Sequence, residues 1–274
     1  MGSERTGTVT VDLAALPLKR CVSELYNAYA GQPILVIGGG PSVLTDLSQI
    51  SGWQSMVQIS ANGHAFKLPE ARPSFIFTKD NAECPPRPRN PRAGPFPLME
   101  PQMRVFGVPI ISLQYWADYR CASWPFQGNS GQHALAVGVL MGGAPVIGVG
   151  FDCFQGPTYF HSDGPNVSAG RNPGYWQYRF RRFAERFRCQ VRIRALSGQV
   201  AETFGKYNPA ETFTGEVMPA VFLAYEKMPT QRVRVLKAFR DSGKATEIPA
   251  GAIVACSPAE AALWCARGLA EPRA

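Results

Sequence analysis

Short apolar runs recur along the chain up to residue 195. They are Ile34-Leu35-Val36-Ile37 and the stretches 56–60, 74–78, 108–112, 146–149 and 191–195. Runs this short and this rich in β-branched and aromatic residues predict buried strands. Between several of them lie helical patterns, notably 130–141 and 174–187. Strands alternating with helices predict a doubly wound α/β fold with a mostly parallel, Rossmann-like sheet. Residues 133–151 are almost uninterruptedly apolar, yet Gly142-Gly143-Ala144-Pro145 sits in their middle, where a spanning helix would break. The stretch is therefore predicted to be a buried helix, a tight turn and a buried strand, and no membrane partner is expected.

The pattern changes past Met228-Pro229-Thr230. Arg232-Val233-Arg234-Val235 alternates as a half-buried strand does, Asp241-Ser242-Gly243-Lys244 predicts a turn, and Ser257-Pro258-Ala259-Glu260 opens a helix. Ser257 is its predicted N-cap, Pro258 its first helical residue, Glu260 the partner in a capping box, and Gly268 the stop. The chain thus divides into a main Rossmann-like domain, 1–228, and a small β-plus-α module, 229–274. So small a module is expected to dock on the main domain or on a partner. A second interruption, 84–101, carries seven prolines and three arginines, so neither helix nor sheet propagates through it. It follows the third strand of the series, where open α/β sheets bind ligands, and is either a lid or a plain surface excursion.

Composition narrows the classes. Hydrophobic residues make up 45% of the chain, which excludes a disordered or fibrous protein. Twenty-eight Lys and Arg against 20 Asp and Glu leave a net charge of +8, which suits an anionic partner such as a nucleotide, a nucleic acid or a phosphosugar. The seven cysteines include no C-x-x-C pair, so reduced thiols are expected and structural zinc is not. Residues 1–10 lack the apolar run of a secretion signal, and a cytoplasmic location is expected.

Gly38-Gly39-Gly40-Pro41-Ser42 links the first clear strand to a helix, a place where backbone N–H groups bind phosphate or carboxylate. The nicotinamide fingerprint needs a third glycine three residues beyond the second and an acid ending the next strand. Ser42-Val43 and Ile59-Ser60-Ala61-Asn62 stand there instead. No Gly-Lys-Ser/Thr of a Walker A loop is present. Of three histidines, His161 is the leading candidate for a catalytic base, with a nucleotide or metal contact and a plain loop role as alternatives. His133 lies among Ala, Leu and Val and reads as a core residue; His64 could merely cap the second strand. From 171 to 194 there are eight arginines against Glu185 alone. Trp176, Phe180, Phe183 and Phe187 make a core stripe, while Arg179, Arg182 and Arg186 share an adjoining face that is either a phosphate-binding ridge or a solvated one.

Three segments carry a resemblance: 34–42, Asn129-Ser130-Gly131 opening an apolar helix, and Val146-Ile147-Gly148-Val149-Gly150-Phe151-Asp152 followed by Tyr159-Phe160-His161. In this order they resemble the bacterial sialyltransferases of glycosyltransferase family 42. They also resemble the motility accessory factors and archaeal 6-hydroxymethylpterin diphosphokinase-like proteins. The resemblance spans roughly residues 30 to 200. It implies that Gly38, Gly39, Gly40, Pro41, Ser42, Asn62, Asp80, Ser130, Gly131 and Asp152 hold the donor, and that His161 and Tyr159 act on it. Where the sialyltransferases carry a nucleotide-contacting Asn in the first turn this chain has Gly39, and where they carry a tyrosine soon after the strand-end Asp it has Phe154. Tyr159 is the candidate to supply the missing hydroxyl.

The activity so implied is inverting transfer of a sugar from a nucleotide-sugar donor to a hydroxyl acceptor, with a histidine base and no resident metal. The related family implies a different reaction, ATP-dependent diphosphate transfer to a pterin-like alcohol with Mg²⁺ held by Asp80 and Asp152. The last module resembles small accessory pieces of phage proteins, which with the +8 charge implies a third class, a nucleic-acid- or virion-binding protein. A homo-oligomer stays open in each case.

Overall fold

A computed structural model describes residues 20–79, 103–114, 117–121, 128–152, 159–161, 178–183, 192–213, 231–240, 247–256 and 258–273. Eight strands form one sheet: β1 (Arg20–Cys21), β2 (Ile34–Ile37), β3 (Val57–Ala61), β4 (Phe75–Thr78), β5 (Ile110–Ser112), β6 (Tyr119–Arg120), β7 (Val146–Val149) and β8 (Ile193–Ala195). Their order is β1-β6-β5-β4-β3-β2-β7-β8, and every neighbouring pair is parallel. From β2 the chain steps outward through β3, β4, β5 and β6, then returns to lay β7 on the other side of β2. That reversal makes the carboxyl ends of β2 and β7 the switch point at which open α/β sheets bind ligands.

Helices cover both faces, so all four residues of β2, β4 and β7 are buried, and the apolar runs are continuous rather than alternating. Ile34 and Val36 point into a core shared with α2 (Ser130–Leu140), Phe180, Phe183 and α3 (Gly198–Phe204). Leu35 and Ile37 point the other way, against Val43 and Leu47 of α1 (Val43–Leu47), Trp53 and Leu68. Every α2 residue except Gly131 is buried, which is why its sequence shows no polar face. Asn129 starts it with a capping box to Gln132.

The C-terminal module consists of β9 (Gln231–Val235), β10 (Phe239–Arg240), β11 (Glu247–Ile248), β12 (Ile253–Cys256), α4 (Pro258–Ala266) and β13 (Ala270–Arg273). β12-β9-β13 is an antiparallel sheet, β10-β11 a separate pair, and Ala261 and Trp264 of α4 share a core with Val233, Val235 and Val254. The module docks on the β1–β6 edge of the main sheet. Arg120 of β6 is 1% exposed and sets its guanidinium 5.6 Å from the centroid of the Trp264 ring, a shielded cation–π contact.

The predicted strands and the 130–141 helix are present with ends displaced by at most two residues, and the sheet is wholly rather than mostly parallel. The helical pattern of 174–187 is described at 178–183, with Phe180 and Phe183 buried as the stripe requires. β1, β6 and α3 were not expected; two-residue strands and a seven-residue helix are too short to leave a period. Residues 1–10, the 84–101 loop, the boundary at 228–230, the 241–244 turn and Ser257 lie outside the described residues. Among the described residues no helix is long and apolar enough to cross a membrane.

Candidate functional site

The turn after β2 is packed against the end of β7. Gly38 N–H donates to Val149 O and Gly40 N–H to Gly150 O, each at 2.9 Å. A Cβ on either glycine would sit 2.7 Å from Gly150 O, and on Gly40 it would also strike the Asp152 carboxylate. Close backbone approach thus accounts for both residues. Ser42 N–H donates to Asp152 Oδ2 at 3.1 Å, and Ser42 Oγ lies 3.0 Å from Asp152 Oδ2 and 2.9 Å from Asp46 Oδ2, its one hydrogen serving either. The structure therefore differs from the open phosphate cradle expected of Gly38 to Ser42. Asp152 occupies the amide of Ser42, Pro41 has none, and Gly39 N–H is the turn's donor that has no partner among the described residues.

Asp46 carries the connection to the next strand. It is 2% exposed, and besides Ser42 it accepts from Ser197 Oγ at 2.7 Å and Gly150 N–H at 3.3 Å. One buried carboxylate so ties the ends of β2, β7 and β8 together. The sequence reading passed over it; the available signal was its i,i+4 spacing from Ser42 across a helix start.

At the end of β3, Asn62 takes a left-handed φ of 56° and leads into a 3₁₀ turn, His64–Lys67. This brings the His64 ring onto Gly39, where a Cβ would lie 2.6 Å from its Cε1. His64 Nδ1 and His161 Nε2 are 3.1 Å apart, a hydrogen bond between two imidazoles. The Tyr159 ring lies 4.7 Å from His64 and 5.5 Å from His161, centroid to centroid. Phe160 N–H donates to Gly39 O at 3.1 Å, which stitches the 159–161 segment to the glycine turn. Burial, reinforced by the neighbouring His161, pushes the His64 imidazole down to about 4, so it is neutral at pH 7. Asn62 Oδ1 is buried with no hydrogen-bond partner among the described residues.

The structure thus gathers Gly38, Gly39, Gly40, Pro41, Ser42, Asp152, Tyr159 and His161 at the switch point and adds His64, which sequence reasoning had reduced to a strand cap. Ser130 and Gly131 serve the packing of α2. Ser130 Oγ accepts from Lys79 N–H at 3.2 Å, Lys79 Nζ donates to Gly128 O at 2.7 Å, and a Cβ on Gly131 would lie 2.5 Å from the Phe151 ring. His133 is 1% exposed with its ring edge-on to Phe77, a core position as expected. Arg182 is exposed and Arg179 half-buried on the helical turn at 178–183, while Arg194 closes a pair with Glu211. Asp80, Phe154 and Arg186 lie outside the described residues. Among the described residues no three His, Cys, Asp or Glu side chains converge as a metal site would require.

Compared with protein families, with curated proteins and with solved structures, the chain matches none.

Proposed function

We propose that the crevice over β2 and β7 is a group-transfer site in which His161 takes a proton from an acceptor hydroxyl while a sugar leaves its nucleotide. The observation that carries this reading is the His64–His161 hydrogen bond over Gly39 at the switch point. Two imidazoles so joined share one hydrogen. If His64 donated it, His161 would carry its own proton on Nδ1 and have no lone pair to offer. With His161 Nε2–H donating to His64 Nδ1, His161 Nδ1 bears the lone pair and acts as the base. His64 is then the positioning residue: kept neutral by burial, it stays an acceptor and stabilises the imidazolium that forms.

In the step, the acceptor O–H gives its proton to His161 Nδ1 and its oxygen bonds the sugar carbon from the side opposite the nucleotide. The bond from that carbon to the phosphate oxygen breaks and the nucleotide departs with the electron pair, which inverts the carbon. Gly39 N–H and the Tyr159 hydroxyl are the nearby donors for the phosphate. The Asp152 carboxylate on Ser42 places like charge at the rest of the turn, so phosphates seat away from it.

The test is a thermal-shift and turnover panel of CMP-, UDP-, GDP- and ADP-sugars, with ATP and Mg²⁺ as a separate arm. A nucleotide that raises the melting temperature, with product formation lost about 10²- to 10⁴-fold in His161→Ala at unchanged nucleotide affinity, supports the reading. Turnover only with ATP, Mg²⁺ and a pterin-like alcohol would replace it with diphosphate transfer. Full activity in His161→Ala would sink it.

A further inference from the structure

A second cleft, independent of the histidine pair, lies at the opposite end of the sheet. The amino ends of β1, β5 and β6 face β9 of the C-terminal module across a cavity of about 670 Å³. Arg20, Arg104 and Arg232 line it, and Asp118 is the acid among its lining residues. Arg104 Nη1 meets both Asp118 oxygens, at 2.8 and 2.6 Å, and Asp118 Oδ2 also accepts from Ile110 N–H at 2.8 Å. Both oxygens of that acid are thus engaged, and Arg104 is its cation among the described residues.

Two guanidinium groups remain, one from each structural unit. Arg20 is 57% exposed, has Glu24 only at 4.0 Å, and donates to the Tyr119 hydroxyl at 2.9 Å. Arg232 has no acidic partner among the described residues, and the residue directly opposite it on β13 is Arg273. Like charges at a directly opposed cross-strand position destabilise a sheet unless an anion lies between or near them. The Tyr119 hydroxyl, accepting from Arg20, keeps its own hydrogen to donate. A cleft lined by two guanidinium forks and a phenol hydroxyl, with Pro109 in its wall, has the chemistry of a phosphate subsite. Its volume falls within the range of small-molecule pockets, about 300–1,000 Å³.

We propose that this cleft binds a phosphate-bearing small molecule whose anionic group bridges Arg20 of the main sheet and Arg232 of the module. Binding then clamps the module to the sheet edge, adding to the Arg120–Trp264 contact. The concavity separates this site from a nucleic-acid ridge, where the arginines would stand on a convex face.

The full chain is titrated with inorganic phosphate, pyrophosphate and AMP, each against NaCl at equal ionic strength, by calorimetry and thermal shift. Pyrophosphate or AMP should raise the melting temperature with the logarithm of its concentration. Arg20→Gln and Arg232→Gln should each weaken Kd about tenfold or more, the loss of one charge-assisted hydrogen bond. Arg232→Gln lies on a half-exposed strand position and should fold with an unliganded melting temperature equal to or above the parent's. Binding should persist in Gly39→Asn, whose side chain fills the turn under His64, and weaken in the arginine variants, which separates this cleft from the crevice. Equal stabilisation by NaCl, or parent-like Kd in both arginine variants, would overturn the proposal.

Discussion

Acidification isolates the contribution of His64 to the fold. The His64 imidazole titrates at about 4 in the folded protein against an ordinary 6.5, because it is buried and faces His161. A depressed histidine leaves stability untouched above the unfolded value. Between 6.5 and 4 the unfolded chain takes up a proton that the folded chain refuses, so stability falls with falling pH; below 4 both states are protonated and the loss stops. A shift of this size corresponds to about 3 kcal/mol over the window, at a slope of up to about 1.4 kcal/mol per pH unit. The measurement is a difference, so that contributions common to parent and variant cancel. Urea unfolding of parent and His64→Gln is followed from pH 8 to 4, and the parent should lose about 3 kcal/mol more than the variant across that range. With three histidines in the chain, the ring signals of His64 can be assigned and titrated directly. Parallel stability curves, or a His64 signal titrating near 6.5 in the folded protein, would refute the burial argument and with it the neutral acceptor proposed for His161.

An Asn placed at Gly39 sets a Cβ 2.6 Å from His64. Gly39→Asn should cost about 2 kcal/mol, and His64→Ala added to it should recover about half of that. Strictly additive unfolding energies would show that the two positions do not compete for space. Removing the buried Asp46 carboxylate leaves the Ser197 hydroxyl and the Gly150 amide without their acceptor. Asp46→Ala should destabilise by about 3 kcal/mol and lower the melting temperature by roughly 5 °C, read by calorimetry. A change under about 1 kcal/mol would mean that those donors find other partners.

The sequence by itself determined the α/β class, the position of the six longer strands and the buried helix between residues 130 and 141. Each of these is a local matter, because a strand buried on both faces must be apolar throughout and a helix inside a core cannot show a polar side. It also determined that the Gly38 to Ser42 turn is special, since three glycines between a strand and a helix announce a close backbone approach. What approaches was decided only by the tertiary structure. The neighbour is the Asp152 loop, 110 residues further along than Ser42, and its carboxylate fills the place in which a ligand phosphate was expected. The His64–His161 pair spans 97 residues and rests on Gly39, so neither histidine's partner could be read from its own surroundings. β1 and β6 are strands because neighbours in the sheet pair with two residues of each, not because of any propensity in Arg20-Cys21 or Tyr119-Arg120. The arginine cleft exists because a separate module folds against that same edge. Local pattern fixes which residues must be buried; which buried polar group meets which depends on contacts closed across the whole sheet.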